Sequence, residues 1–117
     1  MNTTCSPIDW QDSVKKANNK PGLAKGLLDI LEKELPDMQR DIKTAFAKDQ
    51  KDELAYLIHK LHGSCCYCGI PQLKQQLTQL EPAIRSMSKD ELTRQIDALN
   101  TELSRITISL QTKDYLT

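Results

Sequence analysis

Aromatic side chains are scarce in this chain. Three tyrosines, one tryptophan and one phenylalanine make up 4% of its 117 residues. Glycine and proline are also few, at four and five. A core must then rest on Leu and Ile, and no stretch shows the sustained period-2 alternation of a half-buried strand. An all-α fold is expected. No apolar run approaches 18 residues, so no transmembrane helix is expected. Met1–Trp10 lacks a basic segment followed by an apolar one, so no secretory signal is expected either. Neither sign of charge is in excess, with 16 acidic and 16 basic residues. That argues against nucleic acid as a partner, because phosphate backbones call for a basic excess or stripe. No glycine-rich nucleotide loop is present, which argues against ATP chemistry.

Cysteine is present, as Cys5, Cys65, Cys66 and Cys68. Three of the four crowd into one short stretch, where neighbours on a helix do not meet disulfide geometry. Reduced thiols in the cytosol are the expectation.

Five helical segments are legible. The first covers about Pro7 to Asn18, with Ser6 as its cap, Pro7 at its first position, and Ile8, Val14 and Trp10 turned inward. The second runs from about Gly22 to Lys48 on a stripe of Ala24, Leu27, Leu31, Leu35, Met38, Ile42 and Ala45. Pro36 interrupts it and predicts a kink or break near Leu35. The third begins near Asp49–Asp52 and buries Leu54, Leu57, Ile58, Leu61, Cys65 and Cys68. It stops at Gly69, read as a left-handed C-terminal residue. The fourth runs from Pro71 to about Arg85, with Leu73, Leu77, Leu80 and Ile84 inward and Pro82 distorting its last turn. The fifth opens on Ser88-Lys89-Asp90-Glu91, which has capping-box spacing. It continues on Leu92, Ile96, Leu99, Leu103, Ile106 and Leu110, and a frayed tail is expected from Thr112. Short links make sequential helices antiparallel neighbours. The expected architecture is an up-down four-helix bundle with a short extra N-terminal helix, one domain over residues 1–117 with its core in about 7–111.

The third helix carries the chemistry. Successive residues lie about 100° apart around the axis, so His59 points roughly 140° away from the buried stripe, into solvent. Its neighbours three, four and seven positions away are Ala55, Tyr56, His62, Gly63 and Cys66, of which three are small. Gly63 costs about 1 kcal/mol relative to Ala inside a helix, and it lies about 180° from the core. Clearance for a group approaching His59 accounts for it; close packing of another helix does not suit that angle. An imidazole near neutrality offers a nitrogen lone pair for reversible phosphoryl storage. His62, one turn on, can supply a donor to phosphoryl oxygens. Lys60 points about 100° from His59 and is given a steering role.

Other uses of these residues stand beside that one. His59, His62 and Cys66 share a face, with Cys65 and Cys68 near in sequence, and the ligand types suit zinc. No fourth ligand is evident, and Cys65 and Cys68 fall on the core side. A purely structural or adaptor bundle with an idle surface histidine is a further reading, as is a thiol redox sensor.

The run His59-Lys60-Leu61-His62-Gly63-Ser64-Cys65-Cys66-Tyr67-Cys68-Gly69, followed by Leu73, resembles the signature of histidine-containing phosphotransfer (HPt) domains. That signature reads His-x-Leu-Lys-Gly-Ser-Ser/Ala, then a glycine and an apolar residue. Cys65, Tyr67 and Gly69-Ile70-Pro71, with Ile8-Asp9-Trp10-Gln11 at the start, look most like the HPt domains of BarA-type hybrid sensor kinases. The resemblance implies a four-helix bundle that shuttles a phosphoryl group between receiver-domain aspartates through a phosphohistidine at His59. It implies response-regulator receiver domains as partners and a likeness to the cytoplasmic C-terminal part of an inner-membrane kinase, although a free-standing carrier would look the same. The expectation is a monomer without direct membrane contact. The domain itself would bind no cofactor; Mg²⁺ belongs to the receiver. His62 stands where the family has a phosphoryl-contacting lysine. Glu81 stands where a glutamine often orients the imidazole. A carboxylate there can orient the ring and raise its basicity, but it also repels phosphate. Ala55, Tyr56, Lys60, Gly63, Cys66 and Tyr67 form the expected docking surface.

Overall fold

A computed structural model describes residues 6–116. Five α-helices follow in order: α1 (Trp10–Lys16), α2 (Pro21–Ala47), α3 (Lys51–Ser64), α4 (Pro71–Ala83) and α5 (Lys89–Thr112). A 3₁₀ turn over Asp114–Leu116 closes the described chain. Helix α2 packs on α3, α3 on α4, α4 on α5 and α5 back on α2, which closes a four-helix ring with α1 laid on α2. The 27 residues of α2 span about 40 Å at the usual rise, which matches the longest dimension of the molecule, 40 Å.

The core is the expected set of aliphatic stripes. Leu31, Leu35, Ile42, Leu54, Ile58, Leu61, Leu73, Leu77, Ile96, Leu103 and Ile106 are all buried in one cluster. In α2 the buried residue of the second turn is Leu28, with Leu27 only partly covered. Pro36 neither breaks nor ends α2. It faces solvent, while Leu35 and Met38 on either side of it stay in the core, so packing holds the helix across the missing bond.

Two boundaries differ from expectation for local reasons. The cap of α1 is Asp9, whose carboxylate accepts from Asp12 N–H at 3.0 Å. Ser6 instead accepts from Ile8 N–H and reaches Ser109 at 2.8 Å. Helix α3 ends at Ser64, and residues 65–68 continue as turns. Gly69 is not left-handed. It is a close-approach glycine: a Cβ there would lie 2.5 Å from Asp9 O and 2.7 Å from Ser13 N. Its N–H donates to Ser13 Oγ and its carbonyl accepts from Asp9 N–H, which seats α1 on the α3–α4 connection.

The end of the chain is ordered through Tyr115. Lys113 takes the left-handed conformation that stops α5, and Tyr115 is buried 5.9 Å from the Trp10 ring. Ser88 caps α5 as expected, accepting from Glu91 N–H at 3.2 Å.

Candidate functional site

His59 lies in the middle of α3 with 75% of its side chain exposed. The helical phase dictates this, since Leu57, Ile58 and Leu61 all point into the bundle. Across the gap, α4 presents Glu81. Its Oε2 is 2.6 Å from His59 Nδ1, and its Oε1 is 2.7 Å from His62 Nδ1. One carboxylate therefore bridges the two histidines.

The carboxyl of Glu81 is held below the usual carboxylate range. The hydrogen bond from His62 is the main cause, and the bond from His59 and the charges of both rings add to it against some desolvation. An ionised carboxylate only accepts, so both Nδ1 atoms are N–H donors. That tautomer leaves the lone pair of His59 on Nε2, for which no protein partner occurs among the described residues.

The other nitrogen of His62, Nε2, lies 3.3 Å from Thr78 Oγ1. That hydroxyl already donates to the Lys74 carbonyl at 2.7 Å. Lys74 lines a shallow hollow with His59, His62, Gly63, Cys65 and Cys66. Thr78 and Lys74 escaped the sequence reading. Their signal was the spacing Lys74, Thr78, Glu81, which is i, i+4, i+7 on one face of α4.

The expected docking residues have different surroundings. Gly63 and Cys66 share the hollow with His59. A Cβ at Gly63 would meet nothing within 4 Å, so packing inside the domain does not require this glycine. Tyr56 is 59% exposed on the same helix. Ala55 is half-buried against the core. Lys60 borders a hollow on the α2 side with Glu34, Asp37 and Asp41. Tyr67, 60% exposed, lines a separate groove with Leu27, Ile30 and Leu31.

The described thiols divide by burial. Cys65 and Cys68 face the core, and burial pushes them up to about 12 and about 11 respectively. Cys66 is exposed and free. No three His, Cys, Asp or Glu side chains among the described residues are placed to hold a metal ion. Cys5 lies outside the described residues. No helix among the described residues is long and apolar enough to cross a membrane.

Comparison with known proteins agrees with this geometry. The Hpt domain profile matches residues 26–107. The chain is 36% identical over 84 residues to the signal transduction histidine-protein kinase BarA of Escherichia coli K12, covering 72% of this chain. It is 32% identical over 101 residues to the sensor histidine kinase GacS of Pseudomonas protegens, covering 81% of this chain. It spans only 9% and 11% of those two proteins' lengths. The crystal structure of the HPT domain from a Shewanella sensor hybrid histidine kinase superposes with a TM-score of 0.86 at 28% identity, covering 96% of this chain and 97% of that one. With the profile spanning most of the bundle, the chain belongs to the Hpt domain family, the histidine phosphotransfer domains of two-component phosphorelays.

Proposed function

We propose that this domain accepts a phosphoryl group on Nε2 of His59 from the aspartyl phosphate of one receiver domain and passes it to the aspartate of another. The observation that carries this reading is the pairing of His59 Nδ1 with Glu81 while Nε2 stays open to solvent.

The Nε2 lone pair attacks phosphorus in line, the P–O bond to the aspartyl group breaks, and the aspartate leaves as a carboxylate. The ring keeps its Nδ1 proton and gains a positive charge, which the Glu81 carboxylate offsets. Transfer of this kind asks mainly for positioning and charge stabilisation. Glu81 orients the ring. His62 binds the second oxygen of Glu81 and so limits the repulsion that Glu81 alone would exert on the phosphoryl oxygens. Gly63 and Cys66 leave room for the donor, with Ala55, Tyr56, Lys60 and Tyr67 at the margins of the docked receiver. Mg²⁺ comes with the acidic site of the receiver. The domain works as a monomer on the cytoplasmic side, without membrane contact of its own, as a module of a hybrid sensor kinase or as a separate carrier.

The test is incubation with a receiver domain charged by acetyl phosphate. Acid-labile, base-stable label on the wild type and none on His59→Gln is the expected result. Label that persists on His59→Gln would overturn the assignment.

A further inference from the structure

We propose that Thr78 is a positioning residue that holds His62 as a doubly protonated imidazolium and so supplies the charge this site needs where the family has a lysine. The inference rests on the phosphotransfer reading of His59 and adds a residue to it.

The donor count leads there. Thr78 has one hydroxyl hydrogen, directed to the Lys74 carbonyl, which cannot donate. Towards His62 the hydroxyl can then only accept, which calls for Nε2–H. Glu81 calls for Nδ1–H on the same ring. Both requirements are met together only by the imidazolium. His59 faces no second acceptor, and its Nε2 is free.

The groups around His62 are few. Helix α4 offers Glu81, Thr78 and Lys74. Helix α3 and its end offer His59, Cys65 and Cys66. Lys74 opposes a charged His62, and Glu81 favours it. Thr78 is the neutral group whose acceptor separates the charged ring from a neutral tautomer. An alkyl side chain at 78 would leave Nε2 without that acceptor, and His62 would lose its second proton at lower pH. His62 then carries its charge to Glu81 and, through the shared carboxylate, fixes the tautomer of His59.

The experiment compares wild type, Thr78→Val and Thr78→Ser. Thr78 is exposed, so Val replaces it with little effect on folding, and a thermal melt verifies this. Long-range ¹H–¹⁵N spectra of the uncharged protein report the proton count of each ring. In the wild type, His62 should show two protonated nitrogens at neutral pH and His59 only Nδ1–H. In Thr78→Val the His62 signature should give way to a single-donor ring at lower pH, and Thr78→Ser should restore it. Single-turnover transfer from an acetyl-phosphate-charged receiver should slow by about threefold to tenfold in Thr78→Val at pH 8, the size expected for one ordinary hydrogen bond. At pH 6 the two proteins should converge. A neutral His62 in the wild type at pH 7, or matching spectra and pH profiles for wild type and Thr78→Val, would overturn the proposal. Wild-type protein that shows the imidazolium but takes no label on His59 would instead defeat the phosphotransfer reading.

Discussion

Glu81 and His59 meet at 2.6 Å across the α3–α4 interface, 22 residues apart in sequence. The same carboxylate holds His62 at 2.7 Å through its second oxygen. An amide replaces one of these two oxygens by an NH₂ group, which cannot accept from the N–H it would face. Glu81→Gln should therefore slow phosphoryl transfer by up to about tenfold, and Glu81→Ala by about 10- to 100-fold, taking as a guide the range for partners that orient metal-binding imidazoles. Rapid-quench single-turnover kinetics with a charged receiver measures both. Equal rates for wild type and Glu81→Ala would remove Glu81 from the mechanism.

The depressed acidity of Glu81 makes a prediction for stability. A carboxyl whose folded value lies below its unfolded value stabilises the fold above the unfolded value, here 4.5, and loses that contribution as pH falls through the folded value. The stability advantage of wild type over Glu81→Gln should be full near neutrality and shrink below about pH 4.5. Thermal melts of both proteins from pH 7 to pH 3 read this directly. An advantage that grows on acidification would contradict it.

Thiol chemistry should be selective. Cys66 is exposed, whereas burial holds Cys65 and Cys68 as thiols up to about 12 and about 11. Iodoacetamide at pH 8 should alkylate Cys66 and spare Cys65 and Cys68 until denaturant is added. Peptide mass spectrometry distinguishes the sites. Modification of Cys65 at the rate of Cys66 would show that the end of α3 opens readily.

Two glycines should respond to alanine in opposite ways. At Gly69 the new methyl would lie 2.5 Å from Asp9 O, so α1 must lift, at a cost of about 2–4 kcal/mol. At Gly63 the methyl meets no atom within 4 Å, and helix propensity alone should stabilise the protein by up to about 1 kcal/mol. If clearance beside His59 matters, Gly63→Ala should also transfer more slowly while melting higher. Urea titration with parallel transfer assays separates these effects.

The bundle was largely legible because its core depends on periodicity. The apolar stripe of α5, from Leu92 to Leu110, is buried as expected, whereas buried Glu102 and Ser109 carry no apolar signal and were missed. The break allowed for at Pro36 does not occur, because tertiary packing of Leu35 and Met38 outweighs one lost backbone bond. Gly69 was recognised as special for the wrong reason; only the position of Asp9 and Ser13 reveals the close approach. The tail was read as frayed because one tyrosine makes no stripe, yet Tyr115 finds Trp10. At the site, exposure of His59 followed from helical phase. The link between His62, Glu81 and Thr78 did not, since it depends on the register between α3 and α4, which no single-helix pattern contains.

The unbroken course of α2 has a mechanical consequence. A hinge at Pro36 would have divided the scaffold and let one end of the bundle sway. Without it, α2 is one continuous helix packed against both α3 and α5. His59 is then anchored like a post rather than mounted on an arm. Any journey a phosphoryl group makes through this domain must come from the coming and going of its visitors.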